Sequence, residues 1–303
     1  LIRGLSKNEP LCLRGEILQF DMKLAVFADL HGNIQGAQTV IEHIERWQPD
    51  CVVCAGDVIN RGPRSKDCLD LVLQKQRELN WQTVFGNHEE YVIARSREDK
   101  DADPVDYELY QPSRWVFNQI GRDVSHISSW AFSLCLTAPD ESEIRVTHAS
   151  MLGTRNGVFR QTSDEDLRNK IGASPPKLFV VAHTHQPLVR SLDNVLVVNA
   201  GSAGMPFDGD FRASYAQLSF YRGEWYAKIV RLDYDRAAAE KDFFDSGFID
   251  EAGPLARIML WEFRRARGYL FEWQNKYEPL IRSSSITLEV SVDEFLSSRG
   301  LEK

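Results

Sequence analysis

From residue 22 onward the chain alternates short apolar runs with longer amphipathic stretches. Residues 23–28 (KLAVFA) are almost wholly apolar, as expected of a strand covered on both faces. Residues 36–47 then place Ala37, Val40, Ile41, Ile44 and Trp47 at helical spacing. The alternation repeats with a strand at 51–55 and a helix at 65–79, where Cys68, Leu69, Leu71, Val72 and Leu79 are apolar. A strand at 81–85 runs into a further helical start. Three strand–loop–helix units in succession predict a parallel sheet with right-handed crossovers.

Beyond residue 95 the regularity breaks. Residues 96–109 are acidic and Pro-interrupted and are expected as a surface loop. Residues 111–130 read as helical, a small cap before the later strands. Strands are expected at 132–136, 144–147, 178–182, 195–198, 215–221 and 225–232, the last two joined by an Arg222-Gly223 turn. Their irregular spacing predicts a second, mixed sheet. Helices return after Asp233. There Leu255, Ile258, Met259, Phe263, Ala266, Leu270, Trp273 and Tyr277 form one stripe, expected to pack on the sheets. Trp261, Tyr269 and Phe271 lie off it and leave room for a homo-oligomer contact or a lid. The pattern divides the chain into a main domain over 22–232, a helical extension over 233–303, and an N-terminal extension over 1–21 without periodicity.

Composition narrows the class. The 303 residues are 43% apolar and 26% charged, which is globular rather than disordered. No apolar run approaches the ~20 residues of a membrane span, and the first 21 residues lack the layout of a signal peptide. Five cysteines are sparse, and the C-x-x-C of Cys51 and Cys54 sits inside an apolar strand. Reduced thiols and a cytoplasmic location are expected. A net charge of −8 disfavours a nucleic-acid backbone binder and leaves small nucleotides open.

The chemistry-bearing residues gather where predicted strands end, the side on which open α/β sheets bind ligands. Asp29-Leu30-His31-Gly32-Asn33 follows the first strand, Gly56-Asp57 the second and Gly86-Asn87-His88-Glu89 the third. Later strands end in Thr147-His148 and in His183-Thr184-His185. Of seven histidines, His31, His88, His148, His183 and His185 fall at such ends, while His43 and His126 lie on predicted helices. Imidazoles with carboxylates and no thiolates suit zinc, iron or manganese. A D-x-H or H-x-H on extended backbone puts both side chains on one side. Asp57 has two oxygens to offer two metals, and a two-metal site suits phosphoryl displacement.

In this order, D-L-H-G-N, G-D, G-N-H-E, a lone strand-end His and H-T-H resemble the calcineurin-like metallophosphoesterase superfamily, over roughly residues 23–232. The resemblance implies a four-layer α/β/β/α sandwich of two mixed sheets, with a helical cap and a helical C-terminal appendage. It implies two divalent ions, one on Asp29, His31 and His185, the other on Asn87, His148 and His183, with Asp57 bridging. The nucleophile would be a metal-bridging hydroxide acting on phosphate mono- or diesters. His88 would face the leaving group as proton donor or charge stabiliser. The segment Gly56–Gly62 is similar to the G-D-x-x-D-R-G of serine/threonine phosphatases and diadenosine tetraphosphatases, where the Arg clamps phosphate. Asn60 departs from that pattern by replacing the Asp that bonds the catalytic His, which weakens a proton-donor role for His88. Asn199-Ala200-Gly201-Ser202 is nearer the bacterial phosphodiesterase-like branch. Arg61, Arg212 and Asn33 are the candidate substrate contacts. A non-catalytic scaffold on the same fold is the alternative of another class; filled ligand positions favour the enzyme.

Overall fold

The computed structural model describes residues 21–98 and 103–301, so the N-terminal expectation for 1–21 and part of the 96–109 segment lie outside the described residues. The first half runs β1 (Met22–Phe27), α1 (Ile34–Trp47), β2 (Cys51–Cys54), α2 (Ser65–Leu79), β3 (Gln82–Thr83) and α3 (Asn87–Arg95). Short helices α4 (Pro104–Leu109), α5 (Gln111–Gln119) and α6 (Ser125–Ser128) follow. The second half runs β4 (Ser133–Thr137), β5 (Glu143–Thr147), α7 (Asp164–Ile171), β6 (Leu178–Val181), β7 (Leu188–Leu192), β8 (Val195–Asn199), β9 (Ala213–Tyr221) and β10 (Glu224–Leu232). Helices α8 (Arg236–Asp245), α9 (Phe248–Glu251), α10 (Leu255–Arg265), α11 (Leu270–Arg282) and α12 (Leu288–Ser298) close the chain.

Two five-stranded sheets result, in the orders β10-β9-β1-β2-β3 and β4-β5-β6-β8-β7. In the first, β1, β2 and β3 are parallel, and β9 pairs antiparallel with both β1 and β10. In the second, β5, β6 and β8 are parallel, edged by antiparallel β4 and β7. Both sheets are therefore mixed. The two-residue period of a strand explains the layering. Leu24 and Val26 of β1 join Val146, Val180 and Val198 in a core between the sheets. Ala25 and Phe27, pointing the other way, meet Val40, Ile44, Cys68 and Val72 of α1 and α2. Phe179, Val181 and Val197 are covered by Leu167 and Ile171 of α7. Helix, sheet, sheet and helix stack as expected. Among the described residues no helix is long and apolar enough to cross a membrane.

Several local expectations change. Within 96–109, Asp103 caps α4 by accepting from Val105 N, with Pro104 at the first helical position, so local capping overrides the acidic composition. The 111–130 cap breaks at Gly121 and Arg122, both with left-handed backbone (φ 75° and 63°). Helix α7 is short and mostly polar, with only Leu167 and Ile171 buried, and gives little periodic signal. Strand β7 is an edge strand with mainly half-buried side chains. The C-terminal stripe is interrupted at Ala266 (φ 47°), which ends α10. It packs mainly within a core made by α8–α12, where Phe243, Phe248, Phe263, Trp273, Tyr277 and Phe295 are buried. Apolar contact with the rest includes Met205, Phe207, Tyr234 and Trp115. Tyr269 is buried there too, whereas Phe271 is 75% exposed. Cys51, Cys54, Cys68 and Cys135 are free thiols, and burial pushes the Cys54 thiol far up.

Candidate metal centre

The loops after β1, β2, β5 and β6 and the start of α3 converge at one edge of the sandwich. The first two are laced together: Asp29 N donates to Gly56 O at 3.0 Å and His31 N to Asp57 O at 3.1 Å. Asp29, His31, Asp57, His183 and His185 all adopt left-handed backbone, with φ between 47° and 66°. Such conformations are costly for residues with a Cβ and persist only where surroundings enforce them. The expected strand alternation therefore does not aim these side chains; tight turns do. Glycine is required where the turns touch. A Cβ on Gly86 would lie 2.1 Å from Asp57 Oδ1, and one on Gly204 would lie 1.8 Å from Leu30 O.

Two groups of ligand atoms form. Asp29, His31, Asp57 and His185 bring theirs within 4.8 Å of one another, as do Asp57, His148 and His183, so Asp57 is common to both. His31 Nε2 lies 3.7 Å and His148 Nε2 3.2 Å from Asp57 Oδ2. Asn87 Oδ1 joins the second group, 3.1 Å from His148 Nε2 and 2.8 Å from His183 Nδ1. His88 and all the expected ligands are thus brought to one place, and all but the half-buried His183 are buried.

The donor chemistry fits divalent cations. His31 Nδ1 faces Asn60 O at 3.3 Å, His148 Nδ1 faces Ala55 O at 2.8 Å, and His185 Nδ1 faces Met205 O. A carbonyl only accepts, so each Nδ1 carries a proton, and the neutral rings of His31 and His185 turn their Nε2 lone pairs inward. The Nε2 atoms of His31 and His185 are 3.1 Å apart, two acceptors that cannot satisfy each other. Asp29 Oδ1 is buried with no hydrogen-bond partner. A cation satisfies all of these at once. Burial holds His31 and His185 well below the usual imidazole value. Burial, together with the His148 charge, takes His183 down to about 4. Burial also opposes charge on His148, but Asp57 and Asp29 outweigh it and raise the ring to about 10. The field that would draw a proton there equally favours a metal ion.

His88 stands with its ring 4.6 Å from that of His31, and its backbone N donates to Asp57 Oδ1 at 2.9 Å. Among the described residues its Nδ1 has no partner, and burial takes the ring down to about 3. Asn60 does not meet His88; its amide donates to Ser113 Oγ and accepts from Arg61 N. Arg61 is bound bidentately by Glu262 of α10. Arg212 is paired with Asp210 on an exposed loop. Asn33 caps α1 by accepting from Gly36 N, and donates to Gly204 O and the Tyr234 hydroxyl.

Three residues without an expected role also shape the site. Glu89 is fully buried and accepts from Gly86 N (2.8 Å), Asp57 N (2.9 Å), Val58 N (2.8 Å) and Ile59 N (3.3 Å), clamping the second loop to the third. Burial lifts its carboxyl to about 7 despite these bonds. Its position, three past the Gly86 cap of α3, is the one from which Glu reaches back to a helix N-terminus, and that was the available signal. Phe207 stacks on His185 at 4.1 Å, and Glu262 holds Arg61. Neither belongs to a local pattern.

Known proteins share this sequence pattern and fold. A sequence profile for calcineurin-like phosphoesterases matches residues 22–236. An uncharacterized protein of Methanocaldococcus jannaschii is 25% identical over 72% of this chain and 90% of its own length. Phosphodiesterase YfcE of Escherichia coli is 23% identical over 65% of this chain and 87% of its own. A metallophosphoesterase structure from Sphaerobacter thermophilus has the same fold, with a TM-score of 0.62 at 21% identity over 81% of this chain and 99% of that one. The chain belongs to the calcineurin-like phosphoesterase family, metal-dependent hydrolases that act on phosphate esters.

Proposed function

We propose that this chain hydrolyses phosphate diesters at a dinuclear centre, with water as nucleophile and no phospho-enzyme. Asp29, His31 and His185 would hold one ion, Asn87, His148 and His183 the other, and Asp57 both. The observation that carries this reading is the convergence of acceptor atoms in two groups sharing Asp57. Manganese, iron and zinc all suit the donor set. When bound there, two such ions would supply a lowered pKa for water and charge stabilisation for the attacking and leaving oxygens.

The chain's own residues divide the remaining work. The Nδ1–H···O=C bonds of His31, His148 and His185 fix ring orientation before any ligand arrives. Glu89 holds Asp57 and Asn87 in register by binding the backbone of both their loops. His88 is neutral at physiological pH, and neighbouring cations would only lower its pKa further. Its role is then a neutral hydrogen bond to the phosphoryl group rather than proton donation, which favours leaving groups of low pKa. In this reading residues 22–232 form the catalytic domain, and residues 233–303 flank it.

Diesters are chosen because the Escherichia coli relative is named a phosphodiesterase. The test is hydrolysis of bis-p-nitrophenyl phosphate and p-nitrophenyl phosphate by metal-stripped protein reloaded with manganese, beside Asp57→Asn. Diester cleavage lost in the variant supports the reading. Monoester cleavage alone moves the protein toward phosphatases and dinucleoside polyphosphatases. Inactivity on both, with two ions bound, supports a scaffold instead.

A further inference from the structure

The loop that carries Asp57 continues through Asn60 and Arg61, both with left-handed backbone (φ 70° and 69°), and is gripped by the C-terminal helices. Arg61 Nε donates to Glu262 Oε2 at 3.0 Å, and Nη2 reaches both carboxylate oxygens at 2.7 Å. Glu262 is fully buried in α10, and its Oε1 also accepts from Tyr269 N (2.6 Å) and Leu270 N (2.9 Å) at the start of α11. Nearby, Arg64 of the same loop pairs with Asp242 of α8 at 2.6 Å, and Gln35 of α1 donates to the same carboxylate at 2.8 Å.

The guanidinium that Glu262 holds belongs to the rim of the metal centre. It lies 5.0 Å from the Phe207 ring, which is itself stacked on His185. Arg61 Nη1 has no protein hydrogen bond among the described residues, and the side chain remains 13% exposed. A buried carboxylate with four fixed donors is a rigid anchor, and a bidentate fork fixes the plane of the guanidinium as well as its place. Burying such a pair gives little net stability compared with apolar packing, so stability alone is a weak reason for its place at the rim.

We infer that Glu262 is a positioning residue for substrate: it holds Arg61 over Phe207 so that the unengaged Nη1 meets a non-bridging oxygen of the phosphoryl group. The helices after residue 233 thereby complete the phosphate subsite. This inference rests on the phosphoesterase reading of the centre.

The test is calorimetric binding of inorganic phosphate to manganese-reloaded protein, with metal content and melting measured on each sample. Wild type, Glu262→Gln, Arg61→Ala and the double variant are compared. Each single variant is expected to weaken phosphate binding by about tenfold or more at unchanged metal content. The double variant is expected to bind no more weakly than Arg61→Ala. Unchanged binding in Glu262→Gln, an equal loss in both backgrounds, loss of metal together with phosphate, or no binding by wild type would each overturn the inference. If Glu262→Gln fails to fold, Arg61→Lys decides: it keeps the charge without the fork, and wild-type affinity there would overturn the inference. In diester hydrolysis the same variants should raise KM more than they lower kcat. Arg61- and Glu262-dependent phosphate binding without ester cleavage would leave the inference standing and remove the activity reading. Cleavage without that dependence would do the reverse.

Discussion

The metal centre and the helical unit beside it are both buried, but they are held by opposite means. The centre is built from polar side chains on strained turns, with each acceptor aimed inward and each loop fixed by backbone hydrogen bonds. The unit formed by α8–α12 is held by aromatic and aliphatic packing around Phe243, Phe248, Trp273 and Phe295. A polar site needs particular residues at particular places, so change there costs function. An apolar core needs shape and volume, so change there costs stability. The two meet where Arg61 and Arg64 cross to Glu262 and Asp242.

That contrast predicts a dissociation between stability and metal binding. Phe248→Ala removes a ring packed 5.1 Å from Trp115 and 5.7 Å from Phe243. It should cost about 3–5 kcal/mol in urea unfolding, with metal content unchanged. Glu89→Gln should cost less, about 2–3 kcal/mol, because one amide oxygen cannot receive the N–H groups a carboxylate does. Its metal content by elemental analysis should nevertheless fall, since the Asp57 and Asn87 loops lose their clamp. Full metal content in Glu89→Gln, or metal loss in Phe248→Ala, would erase the distinction.

A pH experiment examines the neutral rings. His88 is buried with its pKa lowered from 6.5 to about 3, so the unfolded chain binds the extra proton in that window. The His88 contribution to stability therefore falls as pH drops below about 6.5, and the loss levels off near 3. Glu89 and His148 titrate with the opposite slope, so the relevant quantity is a difference. Between pH 7.5 and 5, metal-stripped wild type should lose stability relative to His88→Asn. A constant gap would show that His88 is not buried neutral. The smallest effect is expected for Phe207→Leu, which removes the stack on His185 and should weaken metal binding by about 0.5–1.5 kcal/mol, read by competition with a chelator.

The centre was readable in the sequence because its residues follow apolar strand runs directly. KLAVFA ends in Asp29-Leu30-His31, and LFVVA ends in His183-Thr184-His185. The periodicity that located those ends did not give the geometry, since left-handed turns set the side-chain directions. Helix α7 and strand β7 are not legible in the sequence because short, half-buried elements carry little periodic signal. Glu262 was hidden for a different reason. A lone acid inside an amphipathic helix reads as solvent-facing, and its partner lies 201 positions away. Only the fold reveals that contact.

The central claim is that two cations share Asp57. The most direct measurement is metal stoichiometry of manganese-reloaded protein, wild type beside Asp57→Asn, with secondary structure checked by circular dichroism. The account predicts two ions per chain in wild type and fewer in the folded variant. A single ion in wild type, or two retained by Asp57→Asn, would contradict it.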